Sequence, residues 1–169
     1  MFRIGKILTA LSLSLFLLVT ACAAPSTAPP PSTEAPQTST QQPTQVPTGE
    51  PLAGGQFNKF FPNASGDYKR IFAQEKTGFA EAKLKQDGKD VAVLSINDLA
   101  NNPSAAKKFQ DSSKTIAGYP AVERGKTQTA ILVSDRFQVK VQSRDESFTP
   151  SDREAWLAKF DLQGLSQLK

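Results

Sequence analysis

The stretch Arg136-Phe137-Gln138-Val139-Lys140-Val141-Gln142-Ser143 decides the fold class. Phe137, Val139 and Val141 alternate with Arg136, Gln138, Lys140 and Gln142, which predicts a strand with one dry face and one wet face. Upstream, Ser134-Asp135 reads as a turn and Thr127 to Val133 as a β-rich run, so the two segments form a hairpin. Gly125 makes the turn before that. Thr115 to Glu123 is strand-like but carries Gly118 and Pro120, so it bends or lies at an edge. Downstream, Thr149-Pro150-Ser151-Asp152 offers an N-cap, a proline at the first helical position and an acid in the first turn. Trp156, Leu157 and Phe160 then mark a core-facing helix, with Gly164 near its end and Leu162, Leu165 and Leu168 packing the tail.

The preceding half follows the same order. Phe57, Phe60 and Phe61 suit one helical turn. Tyr68 to Gln74, Phe79 to Lys85 and Val91 to Ile96 read as strands, with Asp87-Gly88 as a hairpin signal. Asn102-Pro103 reads as a cap and first position of a helix carrying Ala105, Ala106 and Phe109. Three strands and a helix, twice, predict an α+β domain over 56–169. It would be an antiparallel β-sheet of about six strands in two β-meanders, with two helices packed on one face. This layout resembles the PsbP-like domains of photosynthetic accessory proteins and small envelope lipoprotein domains, a likeness that implies a fold and carries no function.

Residues 56–169 contain 18 Lys plus Arg against 14 Asp plus Glu, so this segment accounts for the chain's net charge of +4. The 169 residues include no His and one Cys. That excludes a Ser-His-Asp or Cys-His nucleophile, a His-ligated zinc or haem, and an intramolecular disulfide.

The N-terminal segment is of another kind. Met1 to Lys6 carries Arg3 and Lys6 and no acid, and the 13 residues Ile7 to Val19 carry no charge. The run fits a signal-peptide h-region and is short for a membrane-spanning helix. It ends in Val19-Thr20-Ala21-Cys22, which resembles the lipobox of bacterial lipoproteins. The resemblance implies a signal peptide over 1–21, cleavage between Ala21 and Cys22, and diacylglyceryl and acyl groups on Cys22. The acyl chains would hold the chain on a bilayer at its extracytoplasmic side. Ala23 after Cys22 would look like release to the outer membrane in an enteric-type bacterium. A plain secretory signal cleaved elsewhere is the alternative.

Residues 23–54 hold 8 of the 12 prolines, nine Ser or Thr, four Gln and no aromatic residue. Such a segment buries too little apolar surface to offset its chain entropy, so 22–55 is expected to be a disordered tether closed by Gly54-Gly55. Fully extended it would reach roughly 100 Å.

Candidate chemistry is sparse. Gly125-Lys126-Thr127 imitates the end of a phosphate loop, but Pro120 stands where the earlier glycine belongs. Glu75 and Glu81 are the least poor pair for carboxylate catalysis. Asp87, Asp90, Asp98, Asn101 and Asn102 lack calcium-loop spacing. Lys69-Arg70, Lys83, Lys85 and Lys107-Lys108 are candidates for a basic patch. Tyr119, beside Gly118 and Pro120 on an expected edge, joins Lys107 and Lys108 as a candidate partner surface.

No cofactor, metal or nucleic acid is expected. The role expected is a non-enzymatic binding or accessory module for an envelope or membrane component. A carrier or sensor of an apolar ligand between sheet and helices is the alternative, and a carboxylate-based enzyme the third.

Overall fold

The computed structural model describes residues 49–169. The signal segment, Ala21, Cys22 and the tether as far as residue 48 lie outside the described residues.

Among the described residues seven strands form the β-structure: β1 (Tyr68–Lys76), β2 (Phe79–Gln86), β3 (Lys89–Asp98), β4 (Thr115–Ile116), β5 (Tyr119–Arg124), β6 (Gln128–Val133) and β7 (Phe137–Ser143). Their order is β1-β2-β3-β7-β6-β5-β4, every pairing antiparallel. Two meanders are therefore joined through β3 and β7. The segment expected as one bent strand over 115–123 is instead a hairpin, because Ala117 and Gly118 both take positive φ (51° and 84°) and reverse the chain.

The helices are short. A 3-10 helix spans Gly54–Phe60 and a second spans Pro103–Phe109, while α1 (Pro150–Leu157) and α2 (Leu162–Ser166) follow β7. The expected C-terminal helix is thus two. Thr149 and Asp152 cap α1 reciprocally, each side chain reaching the other's backbone N–H. Asn102 does not cap the second 3-10 helix; its side-chain oxygen accepts from the Ser104 hydroxyl at 2.8 Å.

The expectation of two helices on one face is corrected by the packing. The first 3-10 helix, α1 and α2 cover one face, where Ala80, Ala82, Leu84, Leu94, Ile96, Ile131, Val139 and Val141 are buried together. Phe57 meets Phe137 edge-on at 6.0 Å, Phe61 packs on Phe160 at 5.3 Å and Tyr68 on Trp156 at 5.2 Å. The second 3-10 helix lies on the opposite face, where Ala106 and Phe109 cover Ala130 and Leu132. The reason is β6 itself. Its two sets of alternate residues are both buried, so each face of that strand needs its own cover.

The fold also reaches back past the expected boundary at residue 56. Gly54 is buried, and a Cβ there would collide with the carbonyl oxygens of Phe79 and Lys76. Asp98 ties this entry to the sheet. Its carboxylate accepts from Leu52 N (2.9 Å), Ala100 N (3.0 Å), and Arg136 Nε and Nη2 (2.9 and 2.8 Å). Arg136 also donates to the Glu50 carbonyl at 3.2 Å. Burial opposes the charge on Asp98, but these donors together hold its carboxyl below the usual range.

Candidate binding face

Among the described residues, the second 3-10 helix covers the face opposite α1 and α2 over β5 and β6. Over β2, β3 and β7 its outer layer is half-buried longer side chains, with Val93, Ser95 and Gln138 buried among them. The register fixes which ones. Ser95 is paired with Glu81 on one side and Lys140 on the other, and Lys140 is paired with Ala130. Val93 stands between Lys83 and Gln142, and Asn97 between Phe79 and Gln138.

Cations gather here. Burial and the proximity of Arg124 and Lys140 push the Lys108 ammonium below the ordinary lysine value. Lys140 is shifted down as well, chiefly by burial, with Arg144 and Arg124 adding repulsion and Glu81 opposing it. Lys108, Arg124, Lys140 and Arg144 therefore share one field, and Glu81 is the acid felt by Lys140. Lys108 reaches Gln138 at 3.3 Å. Beside them the Ser95 hydroxyl is fully buried with no hydrogen-bond partner among the described residues. Leaving such a group unpaired costs about 1–3 kcal/mol. Clustered charge and an unsatisfied buried hydroxyl both oppose folding on this face.

The residues expected from sequence fall differently. Tyr119 lies on the helical face, packed against the main core with its hydroxyl 3.5 Å from the Leu162 carbonyl. Lys107 and Lys108 belong to the second 3-10 helix, on the other face. Tyr119, Lys107 and Lys108 therefore do not form one surface, and only Lys108 belongs to the cationic cluster. Arg70 turns away to the Phe61 and Pro62 carbonyls at 3.1 and 2.9 Å. Lys83 and Lys85 grip Asp90 at 3.0 and 2.7 Å, which offsets one of the two charges at that end of the expected patch. Arg124, Lys140 and Arg144 were absent from it.

The acidic candidates separate as well. Glu75 pairs with Ala80 at the helical-face edge and accepts from Asn58 at 2.6 Å, while Glu81 lies on the open face. They do not make a carboxylate pair. Asp98 is held by Arg136, Asp90 by lysines, and among the described residues no group of three His, Cys, Asp or Glu stands ready for a metal ion.

No family model, curated protein or solved structure matches the chain.

Proposed function

We propose that this chain is an exported bacterial lipoprotein, held at a membrane by acyl groups on Cys22. Its domain would serve as a non-enzymatic binding module for an acidic envelope component. The lipobox-like Val19-Thr20-Ala21-Cys22 supports the anchor. One observation carries the binding role: Lys108 on the second 3-10 helix, Arg124 on β5, Lys140 on β7 and Arg144 just after it act on one another, and Lys108 and Lys140 are desolvated and repelled by cations of this group. An anionic surface laid on this face relieves the repulsion, steers encounter and fixes register.

The test is crosslinking in native membranes with the chain tagged after Lys169. The wild type enriches one envelope component. Arg124→Glu with Lys140→Glu loses it, and Cys22→Ser releases the chain from the membrane fraction. Retention of the same partner by the charge-reversed chain would contradict the role assigned to this face.

A cavity of about 250 Å³ between the second 3-10 helix and the β6–β7 turn favours the carrier as a second reading. Its walls include Pro103, Ala106 and Leu132, with Lys107 and Asp135 at its margin. It is smaller than the roughly 300–1,000 Å³ typical of small-molecule sites, so it suits a short apolar group. Mass spectrometry of the native chain would find a co-purifying apolar molecule if this reading holds.

A further inference from the structure

Arg153 is the largest fully buried side chain in the domain, with 2% of its surface exposed. It projects from α1 onto β6 and β7. Its Nε donates to Thr129 Oγ1 at 2.9 Å and its Nη1 to Ser143 Oγ at 2.9 Å. Ser143 gives its own hydrogen to the Phe148 carbonyl at 2.6 Å, so it can only accept from the guanidinium. Both partners are neutral. Among the described residues no carboxylate lies within ion-pair distance of Arg153. Glu123 feels its charge, but that carboxylate is bound by Lys114. A guanidinium carries five N–H groups, and two are used here.

A buried guanidinium whose hydrogen-bond partners are all neutral is destabilising. An apolar residue would fill the same space without that cost. The location of Arg153 supplies a reason for keeping it. It lines a cavity of about 380 Å³ whose walls also include Lys126, Arg144, Phe148, Thr149 and Glu146. Three cations thus face two acids, and one of the acids, Asp145, is already bound by Ser147 through its N–H (2.9 Å) and its hydroxyl (2.7 Å). Lys126 belongs to the Gly125-Lys126-Thr127 turn between β5 and β6, which is no phosphate loop but places its ammonium at this rim.

We propose that this cavity is a binding site for an oxyanion, a carboxylate or phosphate group carried on a small molecule, with Arg153 as its buried counter-charge and Lys126 and Arg144 at the rim. The cavity volume exceeds that of a bare inorganic ion and falls within the range of small-molecule sites. The unused N–H groups of Arg153 match the oxygens of such a group. Arg144 is shared with the open-face cluster, but Arg153 and Lys126 take no part in that contact, so the site does not depend on it.

Trp156 is the single tryptophan of the chain and stands one helical turn beyond Arg153, so it is a built-in reporter. The full-length chain, purified in detergent, is titrated with sodium acetate and with sodium phosphate, each against sodium chloride at equal ionic strength. Trp156 fluorescence and thermal melting are followed. The expected result is a saturable fluorescence change and a raised melting temperature with at least one oxyanion, and which of the two acts identifies the group. Arg153→Met weakens this binding about tenfold or more, as loss of a charge-assisted hydrogen bond requires. Lys126→Ala, exposed and remote from the core, weakens it without altering the anion-free melting curve, and it carries the test if Arg153→Met does not fold. A wild type that responds to neither oxyanion beyond chloride overturns the proposal. A response undiminished in Lys126→Ala and in any folded Arg153→Met also overturns it.

Discussion

The two faces of the sheet are built to different ends. On one, the first 3-10 helix, α1 and α2 close over alternate residues of the strands, and aromatic rings pack edge-on or tilted. On the other, one 3-10 helix covers part of β5 and β6, and lysines and arginines share the rest. The first face supplies the burial that holds the domain together. The second keeps charges that repel one another and a buried hydroxyl with no partner. A surface that costs stability and is nevertheless built is a candidate for function.

Substitutions should separate the faces, beginning with the largest effect. Phe137→Ala removes a fully buried ring that packs on Phe57 and should destabilise by about 3–5 kcal/mol in chemical denaturation. Asp98→Ala strands Arg136 and frees the Leu52 and Ala100 N–H groups, for a loss of about 3 kcal/mol. Thr149→Ala removes the α1 cap and should cost about 1 kcal/mol. Lys140→Gln, on the open face, should change stability by no more than about 0.5 kcal/mol while weakening partner capture. A large loss of stability from Lys140→Gln would erase the distinction.

Acidity sharpens the same contrast. Asp98 has its folded-state pKa lowered, so its contribution is complete above the unfolded pKa and is lost as pH falls through the folded one. Lys108 and Lys140 are also lowered, but for a cation the consequence is reversed. The folded state releases those protons before the unfolded state does. Stability therefore rises as pH climbs through the depressed folded pKa toward the ordinary lysine value of 10.5. Melting curves across alkaline pH should show this rise in the wild type and a flatter profile in Lys140→Met.

The alternation at 136–143 made β7 legible, and Thr149-Pro150 with Asp152 made the start of α1 legible. The same alternation misled on what the other face meets. Gln138 reads as wet yet is buried, because a non-sequential neighbour, β3, lies beside it and Lys108 lies over it. The cationic cluster was invisible for a related reason. Lys108, Arg124, Lys140 and Arg144 lie on different elements, and only the strand order brings them together. The Ala117-Gly118 reversal was missed because alanine at positive φ is uncommon and gives no turn signal. Gly54 was read with the tether by composition, whereas its lack of a side chain is what lets the first 3-10 helix approach the β1–β2 hairpin. Arg153 left no trace of its environment, since an arginine in a helix is ordinarily solvated.

One measurement tests the central claim most directly. A photo-crosslinking side chain is placed at Gln142, on the open face beside Val93, and in a separate chain at Gln163, exposed on α2. Both chains are expressed with the intact N-terminal segment and irradiated in native membranes. The account predicts a discrete adduct from position 142 and none from position 163. Adducts from 163 alone, or the same adducts from both, would contradict it.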